Sequence, residues 1–288
     1  MLSVATGEPH PYGGFVTTTT PENLGAPKPS AAQLDVGFYV PPLPGDFVSV
    51  GDAELYVRTA GTAVPRDDPQ APVAVFIHGL GGSSTNWTEL MTLLEGSVYG
   101  IAPDLPGFGQ SPPPHHGDYK LTAHADIVAK LIREMVGERP VHVFGNSMGG
   151  ATAVQLAARH PDLVKSMTLI SPALPELRPR ASNIHMPITA IPGVGERLMR
   201  RMMKRDVEWR VGMSMSICYA DPDRIDPRRM ADQVAEARAR DALSHTAAAS
   251  LETLRGLIAT YFDYSQQAPW KLARGITAPV LLIYGRQD

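Results

Sequence analysis

Apolar positions along the chain fall into short runs whose period switches between the two residues of a strand and the three to four of a helix. Phe47–Val50 and Ala53–Arg58 alternate around Gly51-Asp52, the pattern of a hairpin. Val73–Ile77 is uninterruptedly apolar and bounded by Pro72 and Gly79, which predicts a strand covered on both faces. Trp87, Leu90, Met91 and Leu94 recur at helical spacing behind Ser83–Asn86, whose polar side chains are candidate N-caps. Val98–Ala102, Val141–Phe144 and Val164–Ile170 predict three further strands. Ile127, Val128, Leu131, Ile132, Met135 and Val136 form a helical stripe ending near Gly137. Ala151, Val154, Ala157 and Ala158 mark the small-residue face of another helix, closed before Pro161.

Strands alternating with helices of this length predict an α/β fold, a mostly parallel, doubly wound sheet covered on both faces. The alternation stops near Pro175. From there to Ala268 the patterning is helical only, with Leu251, Leu254, Leu257, Ile258, Tyr261 and Phe262 the clearest stripe. Strand character resumes at Pro279–Tyr284. The expected organisation is therefore a core over 46–174, an inserted helical lid over 175–268, and a second core part over 269–288. Residues 1–45 hold 8 Pro and 6 Gly and predict a flexible tail, because so little apolar surface cannot offset the entropy of ordering.

Composition narrows the chemistry. Of 288 residues, 29 are acidic and 26 basic, so no cationic excess exists to neutralise phosphates, and a nucleic-acid partner is not expected. Cys218 is the single cysteine, which excludes an internal disulfide and a thiolate zinc site. No apolar run has the length of a bilayer span, and the N-terminus lacks the charged-then-apolar design of a secretory signal. The expectation is a cytoplasmic enzyme acting on a small-molecule substrate.

Gly145-Asn146-Ser147-Met148-Gly149-Gly150 follows one predicted strand directly and opens one predicted helix, the setting that gives a G-x-S-x-G its meaning. Such a turn holds the serine in a strained conformation, and Gly145 and Gly149 leave room for close approach. The hydroxyl is then presented at a helix N-terminus, where N–H groups and the dipole favour a developing oxyanion. His78-Gly79-Leu80-Gly81-Gly82 follows the earlier buried strand, and its turn aims the Leu80 amide at the same point as that of Met148. His78, at the strand end beside the glycines, reads as a residue that orients this loop rather than as a base.

His78-Gly79, Asp104-Leu105-Pro106-Gly107-Phe108-Gly109-Gln110-Ser111, Gly145 to Gly150 and Gly285-Arg286-Gln287-Asp288 occur in order, each in the expected strand context. In these motifs residues 46–288 resemble the lidded serine hydrolases of the α/β-hydrolase fold. The resemblance implies Ser147 as nucleophile, the Leu80 and Met148 amides as oxyanion hole, and Asp288 as the acid of a triad. It implies no metal and no organic cofactor. Asp104, opening the loop after its own strand, reads as structural support for the site wall. Relatives that open epoxides or displace halide carry aspartate at the elbow, so Ser147 disfavours both reactions. Gly107-Phe108-Gly109 lacks the third glycine and helix start of a dinucleotide loop.

The family order is serine, acid, histidine. All nine histidines (His10, His78, His115, His116, His124, His142, His160, His185 and His245) precede Asp288. The expectation is thus a C-terminally truncated product, short of roughly 40–60 residues that would carry a helix, a strand and the histidine loop. As given, the chain is expected to be nearly inactive.

Seven of the twelve methionines fall in the lid: Met186, Met199, Met202, Met203, Met213, Met215 and Met230. Ordinary lid–core packing is the simpler reading, and an adaptable surface for apolar acyl groups the alternative. Arg200, Arg201, Lys204 and Arg205 read as a solvated helix face, with attraction of an anionic substrate or surface as the alternative. The favoured activity is hydrolysis of a carboxylic ester or thioester. A carbon–carbon bond hydrolase of ring-cleavage products is the second reading, on the wording of Asn146 to Gly150, though the loop after His78 lacks that subgroup's Gly-Pro-Gly. The third is a non-catalytic small-molecule-binding module.

Overall fold

The computed structural model describes residues 38–61, 68, 70–175, 185–265 and 268–285. Among them, seven strands form one sheet in the order β1-β2-β4-β3-β5-β6-β7. β1 (Gly45–Val50) and β2 (Ala53–Ala60) form an antiparallel hairpin turned at Gly51, whose φ is +65°. β2 pairs antiparallel with β4 (Tyr99–Pro103). From β4 the sheet is parallel through β3 (Val73–Ile77), β5 (Val141–Asn146), β6 (Val164–Ile170) and β7 (Val280–Ile283).

The unbroken apolar run of β3 has a simple cause. Val73, Val75 and Ile77 point into the larger core, with residues of α2 (Leu121–Val136) and α3 (Met148–Arg159). Ala74 and Phe76 point the other way, against Trp87 and Met91. Every residue of β3 is buried because the sheet is covered on both sides at its centre. Ser83 opens the first helical segment with a capping box, its hydroxyl accepting from the Thr85 amide while Asn86 Oδ1 accepts from the Ser83 amide. A 3-10 turn over Ser84–Trp87 then leads into α1 (Thr88–Leu94).

Among the described residues, five α-helices are inserted between β6 and α9 (Pro269–Ala273), itself followed by β7: α4 (His185–Ala190), α5 (Val194–Met202), α6 (Val207–Cys218), α7 (Pro227–Asp241) and α8 (Thr246–Tyr261). This is the helical lid read from the patterning. Within the α8 stripe, Leu251, Leu254 and Leu257 are buried, but Phe262 lies just past the helix end and is exposed. The methionine expectation divides: Met186 packs on the core, whereas Met202 and Met213 face solvent. Of the predicted tail, residues 1–37 lie outside the described residues. The segment from Tyr39 is bonded to the rest: Tyr39 Oη donates to Asp232 (2.9 Å), Arg229 to the Val40 carbonyl (3.0 Å), and Arg58 Nε to the Leu43 carbonyl (2.8 Å).

Candidate active site

Strand order determines which loops meet. Connections leave β3 toward β4 on one side, and β5 lies on the other, so the crevice at the carboxyl ends of β3 and β5 is the topological switch point of the sheet. The loop after β3 begins at His78 and the loop after β5 is Ser147 itself.

Ser147 has φ 51° and ψ −117°, a conformation that side-chain-bearing residues rarely adopt. It persists because every neighbouring group is tied. The Ser147 amide donates to the Ile170 carbonyl (3.0 Å), and the Ser147 carbonyl accepts from the amides of Gly150, Ala151 and Ala173 (3.0, 3.2 and 2.9 Å). Asn146 Nδ2 holds the same Ile170 carbonyl at 3.2 Å. A Cβ on Gly149 would stand 2.1 Å from the Ile77 carbonyl oxygen, so only glycine lets α3 start this close to the end of β3. Gly145 faces the Gly149 backbone with equally little room. Ser147 is half-buried, and among the described residues its hydroxyl has no hydrogen-bonding partner.

The β3 loop comes directly against this turn. An added Cβ at Gly79 would lie 3.4 Å from the Ser147 Cβ and 3.0 Å from Asn146 Oδ1. Among the described residues, no protein acceptor takes the amide of Leu80 or of Met148. His78 is fully buried with both ring nitrogens engaged: Nδ1 lies 2.8 Å from the Gly79 carbonyl and Nε2 2.9 Å from the Leu105 amide. Because Nε2 accepts from that amide, the proton sits on Nδ1. Burial pushes the His78 pKa down, opposed by the charge of Asp104, so the ring is neutral.

Behind the loop, Asp104 is a hub with no exposure. Its Oδ1 accepts from the amide and hydroxyl of Ser84 (2.7 and 2.6 Å), its Oδ2 accepts from the Gln110 amide (2.8 Å), and Arg58 Nη1 stands 3.9 Å away. The loop is also held from the lid. Arg240 on α7 donates to the Gly81 carbonyl, and the Thr85 hydroxyl donates to Glu236, also on α7, at 2.6 Å. Sequence reading missed Arg240, Glu236 and Ser84; Ser84 stood in the stretch singled out for capping, but nothing local marks the two α7 residues.

Asp288 lies outside the described residues, as does the side chain of His185. The other histidines engage elsewhere: His142 with Ser166 (2.7 Å), His160 with Asp126 (2.9 Å), and buried His124 with Thr253 (3.5 Å). Exposed His116 faces Asp52 at 3.8 Å. A cleft of about 400 Å³ lies beside His115 and Pro112–Pro114, and one of about 520 Å³ lies between α7 and Asp104; Ser147 lines neither.

A family model described as alpha/beta hydrolase fold matches residues 72–288. Lipase 1 of Psychrobacter immobilis is 41% identical over 123 residues, covering 43% of this chain and 36% of that protein. Lipase 3 of Moraxella sp. matches equally, 41% over 123 residues. The chain thus spans about a third of the length of these curated relatives. Among solved structures, the epoxide hydrolase CorEH superposes with a TM-score of 0.67 at 20% identity, covering 84% of this chain and 82% of that one. At that identity the likeness concerns the fold. With its sheet order, its strand-to-helix turn at Ser147 and a family match over most of its length, the chain belongs to the α/β-hydrolase-fold family.

Proposed function

We propose that the chain carries the nucleophile of a serine hydrolase that cleaves a carboxylic ester or thioester of a small apolar substrate through an acyl-enzyme. The observation that carries this reading is the strained, unbonded Ser147 packed against Gly79, beside two amides without protein acceptors. Similarity to a protein named a lipase, 41% over 123 residues, supports the ester class.

In this mechanism Ser147 Oγ adds to the substrate carbonyl carbon as its proton passes to a histidine base. The carbonyl electron pair moves onto oxygen, and the Leu80 and Met148 amides receive the oxyanion; each such donor is worth about 2.7–4 kcal/mol in the transition state. The tetrahedral species collapses, and the alcohol or thiol leaves with the proton returned by the histidine. Water, deprotonated by the same base, attacks the acyl-enzyme and releases the acid. The resemblance implies Asp288 as the carboxylate that orients this histidine.

A non-catalytic binding module is the competing reading, favoured by the absence of a histidine bonded to Ser147 among the described residues. Incubating the protein with a fluorophosphonate probe separates the two. Labelling of Ser147, detected by intact mass and lost in S147A, with p-nitrophenyl ester turnover lost in the same variant, supports hydrolysis. A folded, unlabelled protein overturns it in favour of binding.

A further inference from the structure

Helices α5 and α6 expose apolar side chains in a regular order. Val194, Leu198 and Met202 of α5 repeat every fourth residue and are 40, 38 and 42% exposed. Trp209, Met213 and Ile217 of α6 repeat at the same interval, 44, 42 and 70% exposed. Four-residue spacing places each set on one helix face. On α6 the stripe lies opposite the packing point, since that helix is buried at Val211; on α5 it borders Gly195, where an added Cβ would meet the Thr189 carbonyl at 2.1 Å and Leu251 at 2.7 Å. α6 thus carries an apolar stripe turned to solvent, and α5 leaves the outer margin of its packing face exposed.

Cations lie on the same helix and turn, Arg197 and Arg201 at the edge of the α5 stripe. Arg197, Arg200 and Arg201 lie on α5, and Lys204 and Arg205 in the turn that follows. Among the described residues none of the five has an acidic partner, although other arginines of the lid do: Arg210 with Asp241, Arg228 with Asp226, Arg229 with Glu89 and Arg255 with Glu196. Arg205 lies over the Trp209 ring, 5.2 Å from its centroid. The chain as a whole carries a net charge of −3, so this cluster of cations is a local feature and not a general excess.

An exposed apolar stripe edged by unpaired cations, with a tryptophan at the border, has the composition of a helix that lies in the plane of a membrane interface. We propose that the α5–α6 surface docks the protein onto an anionic lipid surface. The apolar stripes enter the boundary between headgroups and acyl chains, and the five cations meet the lipid phosphates. The inference goes beyond the hydrolase reading and does not use Ser147, so it is tested in S147A protein that cannot turn over lipid.

The experiment is co-sedimentation of the protein, carrying S147A, with phosphatidylcholine vesicles with and without phosphatidylglycerol. Expected is binding that requires phosphatidylglycerol, weakens in high salt, and falls at least about tenfold in the triple variant R200E/R201E/K204E. In a W270F background the tryptophan emission shifts to the blue on binding, because Trp87 is buried already and Trp209 is the ring that moves into lipid. L198Q, which leaves the charges intact, also weakens binding. Far-UV circular dichroism verifies that the variants remain folded. Equal binding to both vesicle types, no binding, or binding unchanged in the charge variant overturns the proposal. So does concentration-dependent dimerisation abolished by the same substitutions without vesicle binding, which would make a second copy the occupant.

Discussion

The guanidinium of Arg240, on α7 of the lid, donates a hydrogen bond to the backbone carbonyl of Gly81, the residue following Leu80. Glu236, one helical turn earlier, accepts from the Thr85 hydroxyl at 2.6 Å and stands 3.9 Å from Arg240. The lid therefore holds the chain at two points, Gly81 beside the Leu80 amide and Thr85 just beyond the loop. Hydrogen bonds to charged groups are worth about 1.5–3 kcal/mol, and about 1.4 kcal/mol is tenfold in rate. R240A is expected to lower kcat for p-nitrophenyl butyrate roughly tenfold with little change in KM. Steady-state kinetics beside a thermal melt checks this. An unchanged kcat in a folded variant would show that the loop keeps its position without the lid.

That relationship marks the boundary of what was legible in the sequence. Gly145 to Gly150 could be read because a turn between adjacent elements leaves its requirements within six residues: a glycine where α3 meets the Ile77 carbonyl, a serine where the backbone bends. β3 could be read because covering both faces demands an unbroken apolar run. Arg240 and Gly81 lie 159 residues apart, and an arginine on a helix looks the same whether its partner is a loop carbonyl or water. Leu198 and Met202 escaped for another reason. Periodicity identifies a helix face and not what that face meets, so the exposed margin of α5 reads like a packing stripe.

Ser147 stores strain that glycine would release. Residues held in such sparsely populated backbone regions cost about 1–3 kcal/mol each. S147G is expected to raise the unfolding free energy by about 1 kcal/mol, the glycine's extra unfolded-state entropy offsetting part of the relief, while abolishing ester turnover. S147A removes the hydroxyl and retains the strain. Urea denaturation of the three proteins measures the difference. A glycine variant no more stable than the alanine variant would mean that the turn is not strained.

His124 ties stability to pH. Burial pushes its pKa down to about 3, with the neighbouring His78 acting in the same direction, and its Nδ1 has no hydrogen-bonding partner among the described residues. Between that value and the ordinary one near 6.5, the unfolded chain binds a proton at this site that the folded chain does not. Stability therefore rises with pH across this window and is lost as pH falls below about 6.5, by about 1.4 kcal/mol per pH unit. Relative to H124Q, the unsubstituted protein is expected to lose about 2 kcal/mol more between pH 7 and pH 5. Parallel stability–pH curves for the two would rule out His124 as the titrating group.

Among the described residues β7 is an edge strand of the sheet. Val280, Leu281, Leu282 and Ile283 pair with β6 on one side, and their side chains are 42–53% exposed. Among the described residues no strand lies on the other side. Four consecutive apolar residues on an open edge form a template for pairing with another chain, and natural edges are commonly blunted by lysine. The 288-residue chain is expected to self-associate as its concentration rises, and L282K to suppress this without unfolding the core, since Leu282 contributes no buried side chain. Light scattering across a dilution series, with circular dichroism of the variant, provides the measurement. A chain that stays monomeric when concentrated, or associates equally with lysine at 282, would show that the edge is protected by other means. Suppression by lysine at 282 but not at exposed Leu93 on α1 would place the association at β7 rather than at exposed apolar surface in general.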